Sequence, residues 1–415
     1  MGRDIFTGKG MRKRLGSGFA TLIVLRVRLY SSRPLGGDPN AREWVQAVTP
    51  PLGSRICLAM IVKNEAHVIE RCLLSVRPLL SSWVIVDTGS TDATERVARN
   101  ALAGLPGEYV FRPWKNFGHN RTESLELARG RGAYALVIDA DDALEIEPAK
   151  LPRELGADGY TLPVFHGDLV YERAHLFRTA LPWRYEGVLH EYAVCETAGP
   201  TPRLEGVRYL FLSGGARSLD RSSYRRDAAI LEEALRAEPG HPRNLFYLAQ
   251  SYRDAGLLDE AEQTYATRAA LGGWEEERWY SLYQVACLRW RLNRPAHAVT
   301  SAFLAACRAR PARAEAPYQL AHHCRLRERY SSAYVFAKLA ASLALPDDRL
   351  FVSRSVYDWM ALDEWAISAY HVGRDEEAIA LNERLLGERR LPADQVRRVE
   401  ANLGASRQRL LRAGG

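Results

Sequence analysis

The chain has 415 residues, 47% of them apolar, and a net charge of +7, which suits a soluble globular protein of about two domains. Arginine carries most of the positive charge, with only six lysines, and no basic run is interleaved with aromatics, so a single-stranded nucleic-acid platform is excluded and no nucleic-acid partner is expected. The six cysteines (57, 72, 195, 287, 307 and 324) form no Cys-x-x-Cys pair, which excludes a disulfide framework and fits free thiols in a reducing cytoplasm.

Residues 1–50 read as a disordered basic arm, with eight Lys/Arg and one acid in the first 35 positions. The apolar run Phe19–Leu25 is seven residues long, against the roughly 20 needed to cross a bilayer. Arg26 and Arg28 stand where small signal-cleavage residues belong. No other segment is long enough to span, and contact with a membrane surface is not expected.

The uninterrupted apolar run 56–62 predicts a buried strand ending at Lys63-Asn64-Glu65. Val68, Ile69, Cys72, Leu73 and Val76 make one helical stripe over 66–77. Residues 83–86 predict a second strand, closed by Asp87-Thr88-Gly89-Ser90-Thr91-Asp92, a hexapeptide with turn chemistry. Asp92 reads as the cap of a helix starting near Ala93. This order of strand, helix, strand, helix implies a parallel sheet with right-handed crossovers. The segment Trp114-Lys115-Asn116-Phe117-Gly118-His119-Asn120-Arg121-Thr122 follows.

A third strand, 134–138, runs straight into Asp139-Ala140-Asp141-Asp142. Ligands of open α/β sheets gather at strand carboxyl ends, and two carboxylates at that point can hold a hard divalent cation, which in turn holds phosphates. No Gly-x-Gly-x-x-Gly or Gly-Lys-Ser/Thr loop is present, so dinucleotide-binding and P-loop readings are disfavoured.

Taken together, Lys63-Asn64-Glu65, the segment 86–94, Trp114-x-x-Phe-Gly-x-x-Arg121 and Asp139-Ala140-Asp141 resemble a family 2 glycosyltransferase of the GT-A fold, over residues 54–215. They resemble in particular the subset joined to tetratricopeptide repeats, to which bacterial peptide S-glycosyltransferases are related. The resemblance implies a nucleotide-sugar donor, with UDP the expected nucleotide, and a peptide, protein or small-molecule acceptor. It implies Asn64, Glu65, Asp87, Arg121 and Asp139 as donor-nucleotide contacts, Asp139 and Asp141 as ligands of Mn²⁺ or Mg²⁺, and an inverting transfer assisted by an acidic base.

Arg184-Tyr185-Glu186-Gly187-Val188-Leu189-His190-Glu191-Tyr192 resembles the His-Glu segment of the same subset and is not His-Glu-x-x-His, so a zinc protease is not indicated. His190 is a candidate to complete the metal coordination, since manganese tolerates nitrogen. Glu191 is the first candidate for the base and Asp142 the second.

From about Ser222 to residue 415 the texture is helical. Alanines recur twelve apart at 249/261, 286/298, 321/333 and 366/378, with first members 37, 35 and 45 residues apart. Small residues at that spacing suit the close antiparallel helices of tetratricopeptide repeats. The long interval implies an insertion around 347–358, and Pro311 and Pro346 mark ends of repeat units. Such a solenoid is expected to recruit a peptide or protein acceptor; alternatively it makes a homo-oligomer or stiffens the enzyme. The rivals to an enzyme of this kind are a repeat scaffold with a degenerate transferase half and a nucleotidyltransferase, which would want a basic glycine-rich loop where this chain has Lys63-Asn64-Glu65.

Overall fold

The computed structural model describes residues 55–212 and 223–413. The expected N-terminal arm and the 213–222 junction lie outside the described residues. Two compact units divide the chain, with the boundary between Leu257 and Leu258.

The first unit is built on β1 (Ile56–Val62), α1 (Ile69–Val76), β2 (Leu80–Asp87), α2 (Thr94–Ala101), β3 (Gly107–Phe111), α3 (Phe117–Ala128) and β4 (Tyr134–Val137). After these come β5 (Ala143–Ile146), β6 (Gly159–His166), β7 (Leu169–Arg178), β8 (Arg184–Glu186), β9 (Tyr192–Val194) and β10 (Val207–Leu210). The main sheet runs β3-β2-β1-β4-β7-β6-β10-β5, while β8 and β9 form a separate ribbon. Strands β3, β2, β1 and β4 are parallel, as the strand-helix order predicts. Beyond β4 the sheet turns mixed: β7 is antiparallel to both β4 and β6.

Burial explains the continuous apolar runs. Along β1, Leu58 and Met60 face one layer with Ile69, Cys72 and Leu73 of α1 and Ala98 of α2. Cys57 and Ala59 face the other layer with Leu125 and Ala128 of α3, Phe177, Trp183 and Tyr185. A central strand covered on both faces has no polar side to show. Each large aliphatic side chain among them, such as Leu58 or Met60, contributes about 1.5–3 kcal/mol by leaving water.

Two helices close this unit, α4 (Ser223–Ala237) and α5 (Pro242–Asp254). Ala228, Leu231 and Leu248 pack there with Leu189. The compact unit thus continues past the anticipated boundary near 222 through the first helix pair.

The second unit carries α6 (Leu258–Ala270), α7 (Glu275–Arg291), α8 (Ala296–Ala309), α9 (Glu315–Leu326), α10 (Tyr330–Ser342), α11 (Ala361–His371), α12 (Asp375–Gly387) and α13 (Ala393–Ala413). Helices adjacent in the chain pack on one another in pairs. A shared terminator shows the repeat. Gly256, Asn293, Glu328 and Gly373 all take positive φ, and the next residue donates its N–H to the carbonyl five positions back: Leu257 to Tyr252, Arg294 to Arg289, Arg329 to Cys324, Arg374 to Ala369. This Schellman stop recurs at the 37, 35 and 45 residue intervals of the alanines.

The expected insertion lies between α10 and α11 and is clasped by a buried arginine. Arg313 is shared between Glu315 and Asp348, each at 2.8 Å, and donates to the Phe351 carbonyl at 2.8 Å. Its guanidinium stands 3.8 Å over the Trp279 ring.

Candidate active site

The carboxyl ends of β1, β2 and β4 present their acidic residues at one edge of the sheet. At the end of β1, Asn64 takes a left-handed φ of 57°, a region in which asparagine is enriched. Its N–H donates to Ser90 Oγ at 3.0 Å and its Oδ1 accepts from the Thr91 N–H at 2.8 Å. Asp92 receives the N–H groups of Thr94 and Ala66 and so closes the turn ahead of α2, whose N-cap position is Ala93 rather than Asp92. Asp87 accepts from the N–H groups of Gly89 and Ser90 through Oδ1 and from Tyr109 Oη through Oδ2, at 2.8–2.9 Å. Gly89 has φ of 114°, which other residues rarely adopt. Asn64 and Asp87 thus shape the two loops that flank the crevice.

Glu65 differs from its neighbours. Its Oε2 is buried and has no hydrogen-bond partner. Burial, with Asp141, Asp92 and Asp139 nearby, pushes its carboxyl up to about 7. A carboxylate oxygen buried without a donor is costly and marks a place that a cation can fill.

Arg121 joins the two halves of the site. Asn116 caps α3 by accepting from the His119 N–H at 2.8 Å. A Cβ on Gly118 would stand 3.3 Å from the Tyr185 carbonyl oxygen, and Thr122 Oγ1 accepts from the Tyr185 N–H at 2.9 Å. The Phe-Gly-x-x-Arg spacing therefore lets β8 lie close against α3, and the chain after β8 delivers Glu191. Arg121, 6% exposed, donates from Nε to Glu191 at 2.7 Å and from Nη2 to Asp139. Burial alone would raise the Asp139 carboxyl, but Arg121 and Arg173 outweigh it and hold it below its ordinary range.

Asp142 has a structural position. It is 1% exposed; Oδ2 accepts from Tyr209 Oη at 2.6 Å and Oδ1 from the Leu212 N–H at 3.0 Å. Burial, with Asp139 adding repulsion, pushes its carboxyl up to about 7. Both oxygens are engaged in clasping β10 and its far end, which leaves Asp142 behind Glu191 as a candidate base.

His190 also departs from expectation. It is exposed, with φ of 51°, and its ring stacks on Tyr247 of α5 at 4.0 Å, while Arg243 donates to its carbonyl at 2.8 Å. Among the described residues no three His, Cys, Asp or Glu side chains gather as a metal cage, so His190 is not brought into a ligand set with Asp139 and Asp141. A magnesium-like ion, however, is commonly held by one or two carboxylates together with substrate phosphates. The carboxylates of Asp141 and Asp139, or of Glu65 with its unsatisfied Oε2, offer the one or two oxygens that such an ion takes from protein.

Sequence reading missed β7. Tyr171, Arg173 and His175 alternate along it toward the crevice, and His175 Nδ1 meets the Val137 carbonyl at 2.8 Å. That carbonyl can only accept, so Nδ1 carries the proton and Nε2, buried and unpartnered, is the bare nitrogen. Burial and Arg173 push this imidazole down to about 3. Alternation at i, i+2, i+4 was the available signal. A surface cavity of about 470 Å³ lined by Arg129, Gly130, Gly132, Thr179, Ala180 and Pro182 lies by the opposite end of β4 and contains none of these groups.

All six cysteines are free thiols. Among the described residues no helix is long and apolar enough to cross a membrane.

Comparison with known proteins agrees with this geometry. The model of "Glycosyl transferase family 2" matches residues 57–227. A TPR repeat-containing protein of Synechococcus elongatus is 30% identical over 147 residues, 33% of this chain and 35% of that one. The prophage-derived glycosyltransferase SunS of Bacillus subtilis is 28% identical over 222 residues, 50% of this chain and 51% of that one. The chain therefore spans about a third to a half of the length of these curated relatives. The crystal structure of MamA aligns with a TM-score of 0.33 at 16% identity, covering 40% of this chain and 84% of that one. Residues 57–227 are thus similar to the glycosyl transferase family 2 model, and antiparallel helix pairs follow that region.

Proposed function

We propose that the protein is a metal-dependent, inverting glycosyltransferase that moves a sugar from a UDP-linked donor to a peptide or protein acceptor. The observation that carries this reading is the carboxylate set at the carboxyl ends of β1 and β4, with Glu65 Oε2 buried and unsatisfied beside Asp141 and Asp139. Asp141 is the principal ligand, with one further carboxylate from Asp139 or Glu65 and the rest of the shell from the donor phosphates, and Mg²⁺ suits such oxygens as well as Mn²⁺ does. When bound, the ion offsets charge on the leaving diphosphate.

The chain's own residues then divide the work. Asn64 and Asp87 hold the loops against which the nucleoside lies. Arg121 keeps Asp139 and Glu191 at fixed positions. Glu191 is the proposed base: the acceptor nucleophile bonds to the anomeric carbon while the bond from that carbon to the diphosphate oxygen breaks. The electron pair leaves with the diphosphate and the acceptor proton passes to the carboxylate. The helical repeats are proposed to hold the acceptor, since concave solenoid faces present extended binding surfaces.

Hydrolysis of a panel of nucleotide sugars with Mg²⁺, Mn²⁺ or a chelator tests this. UDP-sugars should be consumed only with metal, and Asp141→Asn should abolish both that reaction and metal-dependent UDP binding by calorimetry, with its circular-dichroism melt unchanged. A wild-type chain inert toward every donor with either ion would return the protein to the scaffold reading.

A further inference from the structure

The guanidiniums around the crevice are committed, with one exception. Arg121 is shared between Asp139 and Glu191, and Arg71 donates to the Asp141 carbonyl. Arg173 is half-buried on β7 and, among the described residues, makes neither a hydrogen bond nor an ion pair; it feels Asp139, Tyr171 and Tyr209 only through space.

Strand pairing fixes where it stands. Antiparallel β4 and β7 set Tyr134 against Arg178 and Leu136 against Leu176, and His175 reaches the Val137 carbonyl. β4 ends at Val137, and past that end Arg173 lies near enough to Asp139 for the two charges to interact. Arg173 pairs with Leu162 of β6, so a paired strand holds its backbone.

A guanidinium offers five N–H donors in a planar fork. None of the Arg173 nitrogens is among the buried atoms left without a partner, so water holds the fork in the free protein and an anionic ligand can displace that water with a bidentate pair. The position also limits the ligand. It must be anionic, and it must reach a site whose other wall is the carboxylate set of Asp141 and Glu65, where a divalent cation is proposed. A diphosphate meets both demands, with oxygens for the cation on one side and a bidentate pair for the fork on the other.

We propose that Arg173 is a diphosphate-binding residue of the donor site. This rests on the glycosyl-transfer reading above. Arg173 takes two oxygens of the donor diphosphate and remains on the nucleoside diphosphate when the bond to the anomeric carbon breaks, offsetting the negative charge that the departing electron pair leaves there. Asp139, held by Arg121, orients Arg173 from the opposite strand without neutralising it.

Calorimetry with UDP and with uridine, in Mg²⁺, on the full chain and on Arg173→Met and Arg173→Lys tests the assignment. Uridine has the nucleoside and lacks the phosphates. Arg173→Met should lower UDP affinity about 10- to 100-fold, the range for charged hydrogen bonds, and leave uridine affinity unchanged. Arg173→Lys, which keeps the charge and loses the fork, should fall between. Should Arg173→Met not fold, the ratio of UDP to uridine affinity in Arg173→Lys gives the decision. Unchanged UDP affinity, or an equal loss for UDP and uridine, would overturn the assignment while the wild-type donor hydrolysis still stands. A wild type that binds no nucleoside diphosphate removes both readings together.

Discussion

At Glu191 a carboxylate-to-amide change keeps the side chain's volume, removes the proton acceptor and leaves Arg121 with Asp139 alone. Glu191→Gln should lower turnover about 10²- to 10⁴-fold with UDP affinity nearly unchanged. Asp142→Asn should instead act on the fold. It puts an amide where Tyr209 Oη and the Leu212 N–H both donate, so a loss of about 1–3 kcal/mol in urea unfolding is expected. If Asp142→Asn slows turnover without destabilising, the base has been assigned to the wrong carboxylate. His175 supplies a pH dependence. Its imidazole is neutral in the folded protein down to about 3, whereas in the unfolded chain it takes up a proton near 6.5. Between those values the unfolded state binds the extra proton, so this stabilisation is present above about 6.5 and is lost on acidification, by up to about 1.4 kcal/mol per pH unit. Glu65 and Asp142, raised to about 7, oppose this over part of the range. Urea unfolding of wild type and His175→Gln between pH 7 and 4 isolates the term: the wild type should lose stability faster, and parallel curves would remove His175 from the balance.

Within elements, the alanine pairs separate what sequence spacing specifies from what packing decides. Seven of the eight alanines are buried, and Ala298 is only partly so. Helix α8 starts at Ala296 after Pro295, and its buried stripe is Val299, Ala302, Phe303 and Ala306, the i, i+3, i+4, i+7 face. Ala298 falls just off that stripe. Ala321→Leu, fully buried on α9, should therefore cost about 1–3 kcal/mol by overpacking, while Ala298→Leu should move the thermal midpoint little; equal losses would show that burial does not distinguish the two. The same contrast runs through the site. The place of Asp139 and Asp141 just past a strand was legible because an apolar run ending in acids reads as a strand end. The approach of Arg173 to Asp139 was not, because it follows from β7 lying beside β4, which no local pattern encodes. His190 and Glu191 were read as one cluster, yet the left-handed backbone at His190 sends its ring to Tyr247 while Glu191 goes inward to Arg121. Adjacency along the chain is not adjacency in the site.

On the scale of the molecule, the division at Leu257/Leu258 determines where to cut. Ending the chain near 222 would strip Ala228, Leu231 and Leu248 from Leu189, on the loop that carries Glu191, and confuse loss of the repeats with damage to the catalytic loop. A chain ending at Leu257 keeps α4 and α5. It should retain metal-dependent donor hydrolysis and lose transfer to the natural acceptor, measured by mass spectrometry of the acceptor. Full transfer by that shortened chain would reduce the remaining helices to stability or self-association.

The double engagement of Arg121 has a consequence for how this site can drift over time. One guanidinium answers two carboxylates on separate loops, so losing either acid leaves a surplus charge below the surface, and losing the arginine strands two. Breaking a buried pair from one side typically costs about 3–5 kcal/mol, whereas exchanging the whole set for apolar residues can be neutral. Relatives should therefore fall into two populations, one keeping Arg121, Asp139 and Glu191 together and one, inactive in transfer, having replaced all three, with few chains stranded between.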